Sequence, residues 1–257
     1  MRVVALCALL LAASCDARLG SRLRARLLSG PRKATATVGH DAPPTDGAAL
    51  RRGNAANVAE VLKLVEEKDR WAPVVTSGRC RVWRLKSAGS GRHACVLAKG
   101  ELDASPDAVY ALFADAKRAK EFNEFCEECV DVATLDGRTK VSWSATKKIG
   151  PFKARDFVTL CHFADLPGGG RIVVNRAAKH ASRPATAAYE RGEVVLAANI
   201  VRAAGGGSKT ELTLLTQINP RGAIDSGLGA AISNKLVARS PVAFFDAIER
   251  AARAPPR

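Results

Sequence analysis

Between Lys153 and Gly222 apolar and polar residues alternate with the period of extended strands, and short turns interrupt the alternation. In Ala154 to Phe163 one face carries Arg155, Phe157, Thr159, Cys161 and Phe163, and the other Asp156, Val158, Leu160 and His162. Arg171 to His180, Glu193 to Arg202 and Thr210 to Asn219 behave alike, with Gly168-Gly169-Gly170, Ala185 to Ala188 and Gly205-Gly206-Gly207 as turns between them. Lys140 to Thr146 adds a strand in which Val141, Trp143 and Ala145 oppose Ser142, Ser144 and Thr146. Strands that are largely apolar on both faces need cover on both sides. Helices would supply one cover, and a bound apolar molecule is a candidate for the other.

Helical spacing brackets these strands. Ser105-Pro106 is a helix start, Ser as N-cap and Pro at the first position, followed by the stripe Val109, Leu112, Phe113 and Ala116. Asn57 to Glu60 has the spacing of an N-terminal cap, and Val58, Val61, Leu62 and Val65 mark one face of a short helix expected on the outside of the sheet. Asp225 to Ala252 reads as a long apolar helical segment, in which Ser240-Pro241 either begins a second helix or kinks the first.

Several runs carry a family resemblance: Arg155-Asp156-Phe157-Val158, His180 with Pro184, Tyr189-Glu190-Arg191-Gly192-Glu193, Thr210-Glu211-Leu212-Thr213, Asn219-Pro220-Arg221-Gly222, and Asn234 with Pro241. Upstream, Val82-Trp83-Arg84, Ala98 to Leu102 and Ser105 to Tyr110 continue the order. Together they resemble the START (StAR-related lipid-transfer) family of lipid-binding proteins over about residues 71–252. The region after Gly222 departs from the family pattern, with Ala223-Ile224-Asp225 in place of the usual Trp or Pro. The resemblance implies an α+β helix-grip fold, an antiparallel sheet wrapped around a long C-terminal helix with a tunnel for one lipid.

Composition bounds this reading. With 257 residues, 47% of them hydrophobic, the chain is long enough for one full core plus an extension. The formal charge is +15, of which the first 50 residues supply only +4, from seven basic and three acidic side chains. The rest suits an anionic membrane surface. Nucleic acid is not expected as a partner, because the basic residues are scattered and aromatics make up only 5%.

Residues 1–17 have the basic start, apolar run and small-residue exit of a signal peptide, and Arg18 to His40 is basic and free of acids after Asp16, like a transit peptide. This two-part leader fits import into a plastid of secondary origin; a mitochondrial presequence and simple secretion stay open. Ala42 to Arg52 reads as a linker, and residues 53–253 as the domain.

Candidate chemistry is sparse. Cys126-Glu127-Glu128-Cys129 is a lone CxxC without a second pair, expected at the end of a helix and the start of a strand. Cys161 and His162 point to opposite faces of a regular strand and cannot serve as nucleophile and base. The Gly runs lack both phosphate-loop patterns. No cofactor, metal or catalytic residue is implied. By face and by resemblance, the expected lining of a lipid cavity is Trp143, Arg155, Phe157, Asn175, Asn199, Leu228, Ile232 and Phe244. Plain core packing is the alternative for the aromatics, and an ion pair with Asp156 or Glu193 for Arg155. The expected partner is a sterol, phospholipid or sphingolipid held by a monomer in transient contact with membranes. A helix-grip cyclase or hydratase and a lipid-sensing protein-interaction module are the rival readings.

Overall fold

A computed structural model describes residues 42–43, 47–86, 93–148, 152–222 and 240–255. Helix α1 spans Gly47–Glu66 and leads into strands β1 (Trp71–Ser77), β2 (Cys80–Leu85) and β3 (Cys95–Leu102). Helices α2 (Pro106–Ala114) and α3 (Ala119–Phe122) follow, then β4 (Cys126–Asp136), β5 (Thr139–Thr146), β6 (Arg155–Asp165), β7 (Arg171–Ala177), β8 (Glu190–Arg191), β9 (Glu193–Ala204) and β10 (Lys209–Asn219). Helix α4 (Ser240–Arg253) closes the described chain.

Among the described residues the strands form one ten-stranded sheet in the order β1-β2-β3-β10-β9-β7-β6-β5-β4. Every pairing along that path is antiparallel, and the short β8 pairs in parallel with β6 at Arg155 and Asp156. The non-sequential neighbours β3 and β10 join the first hairpin to the later meander. This is the α+β arrangement expected from the sequence, a large open antiparallel sheet with a C-terminal helix across it.

Period-two alternation sorts the strands into two faces. On the inner face Val82, Val96, Ala98, Leu102, Leu212, Leu214, Val173 and Val201 pack against Val109, Leu112 and Phe113 of α2, Phe122 of α3, and Phe244, Phe245 and Ile248 of α4. Phe122 meets Phe113 and Phe244 edge-on, with ring centroids 5.9 and 5.7 Å apart. Ser105 caps α2 by accepting the Ala108 N–H at 3.3 Å, and Pro106 occupies the first turn, as its sequence predicts. Gly100 is required beneath α4: a Cβ there would lie 2.8 Å from the Phe245 ring and would also overlap the Arg79 carbonyl. Ion pairing fixes the far turn of α4, where Glu249 accepts from Arg79 and from the Asp103 N–H, the latter at 2.7 Å.

The outer face carries Leu97, Ile172, Val174, Leu196, Ala198, Ile200 and Leu215, covered by Val61 and Val65 of α1. The packing side matches the sequence expectation, but the helix begins at Gly47, ten residues before the Asn57 cap. Asn57 and Glu60 instead bind Arg176 of β7 from within the helix, Asn57 at 3.0 Å, and Asn54 donates to Thr139 at 3.0 Å. The extra turns form because Leu50 and Asn54 are buried on the same side as Val61 and Val65, and this tertiary contact overrides the loop-like composition before residue 53.

Candidate functional site

Four of the runs that carry the resemblance, around Arg155, Pro184, Arg191 and Asn219, meet at one end of the sheet. Asp156, buried on the outer face, accepts two hydrogen bonds from Arg191, each 2.8 Å, and one from Trp143 Nε1 at 2.9 Å. Arg191 also donates to the carbonyls of Arg183 and Pro184 at 3.1 Å. Glu193 binds Arg221 and accepts from Asn219 Nδ2 at 3.3 Å, while Asn219 Oδ1 accepts the Arg221 N–H at 3.0 Å and shapes the turn after β10. Gly192 is hydrogen or nothing, since any Cβ would penetrate the Phe157 ring. These conspicuous residues therefore lock β6, β8, β9 and the end of β10 to one another.

Arg155 lies on the inner face at that end and is 3% exposed. Its guanidinium donates to the carbonyls of Lys153 and, at 3.4 Å, Pro220, and sits 5.8 Å from the Phe152 ring centroid. Burial pulls it down to about 10, with Glu190 acting the other way. The expected ion pair with Asp156 or Glu193 does not form: both acids are taken by Arg191 and Arg221. For Asp156 the reason is alternation, which sends neighbouring side chains to opposite faces.

Phe157, Asn175 and Asn199 share this inner face with Arg155, and Phe244 reaches it from α4. Phe157 is fully buried with Val194, Ala197 and Ile218 in a small cluster separate from the helix-packed core. Trp143 is not with them. It lies on the outer face among Val141, Val158, Val130 and Tyr189, under the Arg183 guanidinium at 4.3 Å, so its place in the expected lining is corrected. The inner face of β5 is instead the small polar set Ser142, Ser144 and Thr146. Leu228 and Ile232 lie outside the described residues.

Residues passed over in the sequence complete the inner face. Thr159 is 3% exposed, and its Oγ1 has no hydrogen-bond partner among the described residues; Asn199, already in the expected lining and 4% exposed, is in the same position at Nδ2. Cys161 points its thiol toward Ser142 Oγ at 3.7 Å, and Ser142 donates to Asp131 at 3.1 Å. Their signal was their place on the same alternating face as Phe157. The CxxC lies where a helix gives way to a strand, as expected, and a bulge in β4 puts both Cys126 and Cys129 in one buried cluster with Cys161, Ala116 and Ala119. His162 faces outward against Thr139 at 3.1 Å, away from Cys161.

Comparison with known proteins agrees with this architecture. A search of curated protein sequences gives no match. Among solved structures, human StAR-related lipid transfer protein 5 is similar with a TM-score of 0.68 and 15% identity, over 79% of this chain and 96% of that one. Human STARD10 has a TM-score of 0.64 and 19% identity over 79% of both chains. A STAR-related lipid transfer protein fragment from Xanthomonas axonopodis gives 0.59 and 15%, over 72% of this chain and all of that one. At these identities the structures support the fold alone, whereas the START domain family model matches residues 53–239 directly. The chain belongs to the START domain family.

Proposed function

We propose that the protein is a noncatalytic carrier that holds a single lipid between the inner face of its sheet and its C-terminal helix and moves it between membranes. The reading rests on membership of the family, and one observation carries it for this chain. Phe157, Val194, Ala197 and Ile218 are buried on the inner face yet form a cluster distinct from the core under α2 and α4. An apolar guest fills such a place naturally, each buried methylene contributing about 0.8 kcal/mol. Phe157, Asn175 and Asn199 are its proposed walls, with Arg155 at one end and Phe244 at the other.

Entry and exit require a moving part. The turn at Leu166 to Gly170 is a poor candidate, because Leu166 is buried in the outer-face cluster and its N–H donates to the Gly170 carbonyl at 2.9 Å. The motion is therefore assigned to a rigid-body shift of the C-terminal helix α4. The net charge of +15 favours collision with anionic leaflets, so transfer should quicken with phosphatidylserine content and slow with salt.

The test is native mass spectrometry of the full chain purified from a lipid-rich host, followed by transfer assays between donor and acceptor vesicles. A one-to-one lipid adduct and transfer proportional to protein are expected. A mass that stays lipid-free after incubation with mixed vesicles would overturn the carrier reading.

A further inference from the structure

We propose that the carried lipid is uncharged, and that its hydroxyl, carbonyl or amide group is held by a diagonal row of Thr159, Asn175 and Asn199. The inference rests on the carrier reading and goes beyond it in naming a ligand class.

Register defines the row. Asn175 of β7 stands opposite Cys161 of β6 on one side and Ala197 of β9 on the other. Thr159 is opposite Ala177, two residues from Asn175 in one direction, and Asn199 is opposite Val173, two residues away in the other. The three side chains thus share the inner face and step diagonally across three adjacent strands, at roughly 7–8 Å per step. All three are at most 4% exposed.

Two of them hold atoms that call for a partner. Nearly all buried polar groups in folded proteins are hydrogen-bonded, so an exception calls for a partner, either a ligand atom or an ordered water. Asn199 Nδ2 and Thr159 Oγ1 are such exceptions among the described residues. The amide nitrogen can only donate and so asks for an acceptor oxygen, while the hydroxyl can donate or accept. An alcohol, an ester or an amide answers both. The side chains around the row, Phe157, Val173, Ala197 and Leu214, are apolar and suit the body of the lipid.

The charges on the same face argue against a phosphate at the row. Lys140 lies at the β4–β5 side, 3.3 Å from Asp131, which also takes the Ser142 hydroxyl. Arg155 is four residues along β6 from Thr159, roughly 13 Å at the rise of a strand, and is already bonded to two backbone carbonyls. Arg171 of β7, opposite Val201, shares the face one diagonal step from Asn199, but it is paired with Asp107 and lies over the Tyr110 ring at 4.0 Å. A phosphodiester at the row would be a buried anion whose neighbouring cations are already committed to other partners.

The experiment offers the full chain vesicles that contain dioleoylglycerol, ceramide, cholesterol, phosphatidylcholine and phosphatidylserine in equal amounts, and identifies the retained lipid by native mass spectrometry and extraction. One or more of the three uncharged lipids should be retained in preference to both phospholipids. Asn199→Leu and Thr159→Val should each weaken retention of that lipid about tenfold, the worth of one buried hydrogen bond, while the melting temperature of the lipid-free protein does not fall. Retention of a phospholipid would overturn the proposal and leave the carrier reading intact. Retention of nothing would overturn both. If either variant, still folded, keeps the uncharged lipid as tightly as the parent chain, that residue does not hold the polar group.

Discussion

Beneath the terminal helix the inner face is closed by Phe245 and Ile248, both essentially inaccessible and seated on Gly100, Val82 and Leu102. Further along the same face Thr159, Asn175 and Asn199 are equally buried, but two of their polar groups go unanswered among the described residues. Burial alone therefore does not distinguish a core from a binding site. The difference lies in whether the buried groups are satisfied by the protein itself. Substitutions in the first region should damage the fold, and those in the second should damage binding while leaving the fold alone.

The largest effect is expected at Phe245. Replacing it by Ala removes a fully buried ring, and Gly100 cannot fill the gap because it has no side chain. A loss of about 4 kcal/mol in urea denaturation follows from the usual cost of such cavities. A loss below about 1 kcal/mol would mean that the helix end collapses freely and is not the rigid half of the comparison.

Asp156→Asn comes next. It leaves Arg191 and Trp143 without the carboxylate that joins them and should cost about 3 kcal/mol, with a change in tryptophan fluorescence as the Nε1 hydrogen bond weakens. Unchanged stability would show that the conserving geometry of the amide is enough, and that the lock at this end of the sheet is not electrostatic.

That lock explains what could be read from the sequence. The strands between Arg155 and Asn219 and the cap at Ser105 were legible because period-two alternation and Ser-Pro chemistry are local. Which face of β5 turns inward was not legible, since Val141, Trp143 and Ala145 look like a core stripe beside Ser142, Ser144 and Thr146. The decision is made at long range: Asp156, one strand over, offers the acceptor that a buried indole N–H needs. The start of α1 was hidden for a similar reason, because Leu50 and Asn54 gain their partners only once the sheet exists. Thr159 went unnoticed because a lone Thr in an apolar strand has no local signature; only the missing partner of its hydroxyl marks it.

A smaller, pH-dependent effect separates the outer face from the inner one. Burial lowers the pKa of His162 below its ordinary 6.5, against the opposing pull of Asp136 and of a hydrogen bond with the Arg138 backbone. The unfolded chain then binds the proton first, so the contribution of His162 is complete above about pH 6.5 and is lost as pH falls toward the depressed folded value. Between pH 7 and pH 5 the parent chain should lose more stability than His162→Asn does. Parallel pH profiles for the two proteins would remove His162 as the cause. Lipid retention should be indifferent to this group, which faces away from the row.

The smallest expected change in stability is the most informative. Asn199→Leu keeps nearly the same volume and replaces a buried amide whose nitrogen has no partner among the described residues. Removing an unsatisfied polar group in favour of an apolar one of similar shape is neutral or stabilising, so the lipid-free protein should shift by roughly 1 kcal/mol or less, toward greater stability. The lipid-loaded protein should behave in the opposite sense, because the parent chain gains stability from a bound ligand that the variant holds less tightly. Thermal unfolding of both proteins, with and without lipid, reads these two signs directly. A variant destabilised by 2 kcal/mol or more without lipid would mean that the amide serves the fold, and the two halves of the inner face would then be one core.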